Sequence, residues 1–236
     1  MHADIGLWIT GSVLLWILSA GLAMALALLI AAGTNSSWRA IRLAAAAGMH
    51  LTRGVPTGLL VIIFGLGCMR IPAAPALPVV FPGTSQQFQL VAWGIVVALG
   101  LGSSGHIAVI YLTAWHSAGI RRLDQARVMG LSPYLQVRVV GREVLPLVLG
   151  PLGARLVHHL HNTGFAALFP VVELFGGVVE ASNETFAVAR FAAVGAVIYI
   201  VLSQAIWGTT RALERRLRAP TRDGQLPSIP EVATLP

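Results

Sequence analysis

Ionisable side chains inside the fourth long apolar stretch are the residues of this chain best suited to chemistry. The stretch carries Arg155, His158, His159 and His161, and His158 and His161 share a helical face because they are three positions apart. Ionisable groups at membrane depth face an interior, so these side chains could line a solute path or act as acid and base. They could equally pack against polar neighbours at a subunit interface. Metal binding is disfavoured because no carboxylate or cysteine lies beside the histidines.

Arg155 is the hardest of these residues to place, because a charge on a membrane span needs a partner or water. Three arrangements satisfy it: the guanidinium binds an anionic group of a solute, pairs with Glu173, or reaches the nearby membrane surface. His106, in the third apolar stretch, has the same alternatives as the histidines of the fourth. The candidate lining of a solute path is therefore Arg155, His158, His161 and His106.

A basic segment between the third and fourth apolar stretches has the pattern of two helices joined by a bend. Gly130 suits the position after a helix C-terminus, and Ser132 and Pro133 suit the N-cap and the first turn of the next helix. We expect two short helices within about residues 114–143, in a shape that fits a groove on a partner. The alternative is a basic amphipathic connector lying on the membrane surface.

The composition surrounding these residues is that of a polytopic membrane protein. The chain has 236 residues, of which 56% are hydrophobic and 11% charged, against about 25% charged in a soluble domain. Its mean hydropathy is +0.77. All 16 basic residues are arginines, so a Walker A lysine is excluded and the chain does not bind ATP through a P-loop. The arginines border the apolar stretches, which membrane topology explains better than nucleic-acid binding.

Apolar stretches recur along the chain, and about 20 apolar residues in a helix cross a hydrocarbon core of about 30 Å. Arginines concentrate after the first stretch, between the third and fourth, and after the fifth. The positive-inside rule then puts the N-terminus outside and the C-terminus in the cytoplasm. The second stretch is interrupted at Arg53-Gly-Val-Pro56, and the fourth continues as mixed apolar sequence to Val179. The stretches are about 7–32, 40–69, 90–112, 144–160 and 186–207.

A glycine pattern in the third stretch has two explanations. Gly100-Leu-Gly102-Ser-Ser-Gly105 fits the glycine motif of dinucleotide-binding folds, with Asp124 at about the distance of a ribose-binding acid. We reject that explanation because the glycines lie in a membrane-length run with no alternation of strands and helices. We expect close helix packing through the small residues Ala98, Gly100, Gly102 and Ser104.

Short motifs occur along the chain in a fixed order and with near gapless spacing. They are Arg53-Gly-Val-Pro56 (R-G-T-P), Asp124-Gln-Ala126-Arg-Val-Met-Gly130 (a loose E-A-A-x-x-x-G), Pro151-Leu-Gly153 (P-L-G), Asn162-Thr163 (the end of K-D-T), Glu173-Leu174 (the end of V-x-E-L) and Leu213-Glu-Arg-Arg-Leu217 (L-E-R-R-L). Over about residues 40–218 the chain thereby resembles the ABC importer permeases of the polar amino-acid family.

The resemblance implies an all-α, polytopic membrane protein of about five transmembrane helices with a cytoplasmic coupling-helix loop, the type I importer permease fold. It implies a pair of partner ATPases that bind ATP and Mg, while this chain itself holds no cofactor. It also implies an extracytoplasmic solute-binding protein and a second permease subunit, as a heterodimer or a homodimer, within the lipid of a bacterial inner membrane. It adds Thr163 to the solute path and assigns coupling to the ATPase to Asp124, Ala126, Gly130, Leu131, Ser132 and Pro133.

Departures from the family's pattern fall at positions that bear on the solute. The glutamate and arginine of the family's third span are Val109 and Leu112 here, and its asparagine-glutamate after P-L-G is Ala154-Arg155. One explanation is that the chain is the divergent half of a heterodimer, and another is a changed ligand.

The sequence therefore predicts a permease domain at residues 1–219 and a disordered cytoplasmic tail at 220–236. The predicted function is a translocation path for a small polar solute, an amino acid or a derivative, driven by a partner ATPase. One rival is a membrane-embedded enzyme that uses His158 and His161 as acid and base. Another is a non-transporting membrane scaffold. The chain offers no nucleophile–base pair, so we expect that it is not itself an enzyme.

Overall fold

The computed structural model describes residues 4–72 and 78–218, and the regular elements within these ranges are helical. The predicted all-α class is therefore confirmed, while the tail predicted at 220–236 lies outside the described residues. A π-helical segment follows α4 and a 3-10 segment follows α6. The α-helices are α1 (Ile5–Thr34), α2 (Arg39–Gly54), α3 (Thr57–Met69), α4 (Gln86–Ala114), α5 (Ile120–Val128), α6 (Pro133–Asn162), α7 (Leu174–Thr185) and α8 (Val188–Arg218).

Long apolar helices make up most of the fold. Over the described residues, α1, α8 and the helical run from Gln86 to Val128 are each long and apolar enough to cross a membrane. The bent pair α2 and α3 makes a fourth candidate if it counts as one span. The predicted fourth stretch lies in α6, which has 30 residues but is not among these candidates. The number of five spans therefore stays a prediction.

A bend of 98° separates α2 from α3, where the sequence had predicted only an interruption. Pro56 disfavours helical backbone at the residue before it, and Val55 is extended, with φ −91° and ψ 125°. The helix therefore ends at Gly54 and restarts at Thr57. The second stretch is two short helices in different directions.

Glycines of α4 allow the neighbouring helices to approach closely. A side chain at Gly102 would collide with Thr57 of α3, one at Gly105 with Thr52 of α2, and one at Gly100 with Leu22 of α1. Ala98 and Ser104 are fully buried beside them. The structure confirms helix packing as the role of this pattern.

The basic segment bends at Gly130, whose φ of +68° is a left-handed conformation that glycine adopts without strain. Ser132 is the N-cap and Pro133 the first residue of α6, as predicted, although the Ser132 hydroxyl makes no capping hydrogen bond. The prediction of two short helices was wrong for the second one. The second helix continues from Pro133 to Asn162 as one helix. Polar residues at the membrane surface limit the apolar length of a span, but they do not stop the helix itself.

The mixed apolar sequence after α6 is not a continuous helix. The 3-10 segment Thr163–Leu168 leads to extended backbone, and α7 then begins after Glu173. The Glu173 carboxylate accepts hydrogen bonds from the backbone N–H groups of Phe175 and Gly176, which caps the new helix. Gly11 of α1 lies so close to the Val172 carbonyl that any side chain there would overlap it. This contact places the non-helical turn against α1.

Candidate functional site

Arg155 projects from α6 toward α4, where its guanidinium binds the helix backbone and a hydroxyl. Its Nη2 donates to the Gly102 carbonyl oxygen at 3.2 Å and to Ser103 Oγ at 3.1 Å. The side chain is half-buried, and its Nε is buried without a hydrogen-bond partner among the described residues. Charged groups at membrane depth are costly, and hydrogen bonds of this kind lower that cost.

Three further basic or titratable side chains lie around Arg155. His106 is one turn beyond Gly102 and Ser103 on α4, and His158 is one turn beyond Arg155 on α6. The stem of Arg53 at the end of α2 packs beside Gly105. Arg53, Arg155 and His158 are all within electrostatic range of His106. We call these four residues the basic cluster.

Glu173 forms no ion pair with Arg155, so one of the three arrangements considered for Arg155 is excluded. Glu173 is fully buried at the start of α7, where its carboxylate binds backbone N–H groups and accepts from Ser12 Oγ at 3.4 Å. Among the ion pairs of residues 4–72 and 78–218, none involves Arg155. The capping role explains why Glu173 is unavailable to α6.

His159 is the buried one of the three histidines near the end of α6. It is fully buried, with Nε2 at 2.8 Å from Ser19 Oγ of α1 and Nδ1 at 2.7 Å from Ser103 Oγ of α4. Ser19 Oγ also donates to the Leu15 carbonyl oxygen at 2.5 Å, so it accepts from His159 Nε2–H. Ser103 accepts from Arg155 and donates to Nδ1. A neutral ring with its proton on Nε2 satisfies every contact.

His161 and Thr163 lie apart from the basic cluster. His161 Nε2 is 3.2 Å from Ser203 Oγ of α8, and its ring stands edge-on to Tyr199 at 5.8 Å between centroids. A cavity of about 390 Å³ adjoins this pair. Thr163 is buried and its hydroxyl donates to the Leu160 carbonyl oxygen at 2.7 Å. The structure therefore brings together Arg155, His158 and His106 and places His161 and Thr163 elsewhere.

The predicted coupling residues gather at one end of the molecule. Ala126 is fully buried and its carbonyl oxygen accepts from Leu131 N at 3.0 Å, which closes the turn around Gly130. Asp124 pairs with Arg127 at 3.5 Å on the exposed side of α5. Ser132 and Pro133 follow the turn and start α6.

Two contacts fix this turn to the long helix that follows it. Arg122 of α5 forms an ion pair with Glu143 of α6, and Gln136 of α6 donates to the Leu131 carbonyl oxygen at 2.8 Å. At the tip of α5, Val128 is 89% exposed and Met129 is 62% exposed. An apolar tip on a braced turn is suited to a partner's groove. The sequence did not single out Val128 or Met129, although both lie inside its loose signature.

The fold of this chain is shared with chains of solved ABC transporters. Among solved structures, an amino acid ABC transporter crystallised with histidines matches with a TM-score of 0.71 at 20% identity, covering 89% of this chain and 92% of that one. The MetNI methionine ABC transporter in an inward-facing form matches with a TM-score of 0.65 at 15% identity, covering 90% and 94%.

A curated relative gives a similar result in sequence. The chain is 23% identical over 211 residues to the permease protein HisM of the histidine/lysine/arginine/ornithine transport system of Salmonella typhimurium, and the match covers 87% of each protein. No protein-family model matches the chain. The resemblance to ABC importer permeases is thereby confirmed in fold and supported in sequence.

Proposed function

We propose that the chain is the transmembrane subunit of an ABC importer in a bacterial inner membrane, and that it forms part of the path of an amino acid or a related small polar solute. The observation that carries the proposal is the turn around Gly130, which joins α5 to α6 and is held by the ion pair between Arg122 and Glu143. The turn belongs to a fold that matches permease subunits over about nine-tenths of their length. ATP and Mg belong to a partner ATPase, since a chain without lysine has no P-loop lysine.

The geometry supports a mechanical role for α5. Val128 and Met129 present an apolar tip that a groove on the ATPase would bury. Because Arg122 ties α5 to Glu143, a displacement of the tip is passed to α6. The same helix carries Arg155 and His158 about 18 to 23 Å further along, at a rise of 1.5 Å per residue. One continuous helix, α6, thus joins the proposed ATPase surface to the proposed solute path.

The remaining partners follow from the same proposal. Importers of this kind work with a second permease subunit, so the solute path lies between two such chains, and a binding protein delivers the solute from outside. The polar exposed side of α6 at His158 suits such an interface better than lipid, because charge and titratable groups are costly in hydrocarbon. The enzyme alternative gains no support, since His161 turns to Ser203 while His158 belongs to the basic cluster.

Co-purification of an ATPase tests the proposal directly. We expect the chain, expressed with the other subunits of its system, to retain a Walker-motif ATPase through detergent extraction and gel filtration. Val128→Asp should lower ATPase recovery about tenfold, because a charge on the docking tip would be buried without a partner. Val79→Asp is the matched control, since Val79 is 55% exposed in the loop before α4 and lies outside the apolar stretches. Equal recovery with both variants, or no ATPase with the wild type, would refute docking at α5.

The orientation of the chain is a separate prediction. We expect Ser85 outside the cell and Ser132 in the cytoplasm, as the arginine distribution requires. Both residues are exposed N-caps whose hydroxyls make no capping bond, so replacing either by cysteine should leave the fold intact. In a Cys68→Ala background, an impermeant maleimide added to intact cells should label Ser85→Cys and spare Ser132→Cys. Labelling of Ser132→Cys alone would invert the topology and exclude contact with a cytoplasmic ATPase.

A further inference from the structure

We propose that the basic cluster makes this subunit selective for a negatively charged, carboxylate-bearing solute, such as an acidic amino acid, over cationic ones. The inference rests on the proposed function and specifies the solute class of the same path. It concerns the charge that the chain itself presents between α2, α4 and α6.

The cluster presents positive charge and unused hydrogen-bond donors. Arg53 and Arg155 each contribute a guanidinium group to the cluster. Arg155 has five N–H donors, and the structure engages Nη2 alone, with Gly102 and Ser103. The Nε is buried without a partner within the described part of the chain. A planar fork with free donors matches the two oxygens of a carboxylate.

The described carboxylates are engaged elsewhere or lie far away. Glu214 of α8 lies beside Gly150 of α6, and its carboxylate pairs with Arg218 at 2.9 Å. Leu22 is the residue of α1 that packs on α4 at Gly100. Asp4 lies at the start of α1, about 27 Å along the helix axis from Leu22. The other described acids belong to the capped start and body of α7 or to the segment of α5 and early α6: Glu173, Glu180, Glu184, Asp124 and Glu143.

The net positive charge of the cluster determines which sign of charge on the solute is favoured. A cation beside Arg155 would be repelled by its guanidinium, and like charges brought together in a contact cost several kcal/mol in specificity. A carboxylate there would satisfy the free donors of Arg155 and offset the cost of holding that charge in the membrane. The Salmonella relative is named for histidine, lysine, arginine and ornithine. This chain is therefore expected to differ from that relative in the charge of its solute.

Direct binding to the purified permease–ATPase complex, without any binding protein, tests the inference. The probes are radiolabelled L-glutamate, L-glutamine and L-lysine at equal concentrations. We expect glutamate to bind most tightly and lysine most weakly. Arg155→Gln should weaken glutamate binding about tenfold to hundredfold, which is the range for losing a hydrogen bond to a charged group. Arg53→Gln should weaken it less, because that side chain is exposed.

Arg190→Gln is the matched control, because it removes the same charge from an exposed site on the first turn of α8. Its glutamate affinity should equal that of the wild type, and gel filtration should show that all variants assemble. Lysine binding as tight as glutamate binding, no glutamate binding, or wild-type affinity in both cluster variants would overturn the inference. The co-purification test reports separately on the proposed function. An intact complex that prefers lysine would therefore refute the selectivity for negatively charged solutes and leave the proposed function standing.

Discussion

Replacing Gly130 by valine is expected to lower solute uptake per ATP hydrolysed about tenfold while the protein still inserts into the membrane. Gly130 has φ +68°, a region that costs an ordinary residue about 1–2 kcal/mol and a β-branched residue more. The turn would open to relieve that strain, and the tip formed by Val128 and Met129 would change direction. Uptake and ATP hydrolysis measured on the same proteoliposomes give the ratio.

Gly141→Val is the control for this substitution. Gly141 lies within α6, and like Gly130 it has open space around the position of an added side chain. The two glycines therefore differ in backbone conformation and not in room. We expect the Gly141 variant to transport within about twofold of the wild type, because valine is tolerated in a helix interior. Equal coupling in the two variants would remove the turn from the mechanism.

Truncating His159 is expected to give the largest loss of stability. His159→Ala would leave a cavity and remove the partner of Ser19 and Ser103 in the middle of the bundle. Cavity formation and the loss of two hydrogen bonds together cost about 3–5 kcal/mol. We expect the Tm of the detergent-solubilised complex to fall by about 10 °C, following the size dependence for chains of this length.

His158→Ala separates stability from transport. His158 is adjacent in sequence but exposed, so its truncation should leave the Tm nearly unchanged and affect transport instead. The same pattern, transport affected more than assembly, is expected of Arg155→Ala and was predicted for His161→Ala. The structure weakens the case for His161, which binds Ser203 on α8. An equal fall in Tm for the variants of His158 and His159 would contradict the structural role assigned to His159.

The sequence predicted the helical class and the packing role of the α4 glycines because both depend on local composition. Run length and small-residue spacing fix them without knowledge of the neighbours. The bend between α2 and α3 was predictable in place from Pro56 but not in angle. The angle depends on how closely Thr52 and Thr57 approach Gly105 and Gly102, which are distant in sequence.

The candidate site was predicted in part. Arg155 and His158 followed from helical spacing, and His106 followed from the cost of polar groups in a membrane. His159 was missed because periodicity pairs positions 158 and 161 and says nothing about the serines of two other helices. The presence of Ser19 and Ser103 in apolar stretches was the available signal. Glu173 was considered as one possible counter-ion of Arg155, and the structure uses it as a helix cap instead.

ATP-dependent uptake into proteoliposomes tests the central claim most directly. The complex of this chain with its co-purified ATPase and second permease subunit would be reconstituted with its binding protein and a mixture of ¹⁴C-labelled amino acids, so that the solute need not be known beforehand. We expect accumulation that requires hydrolysable ATP and that falls with Gly130→Val but not with Gly141→Val. Accumulation of no label, or accumulation that is the same with a non-hydrolysable ATP analogue, would contradict it.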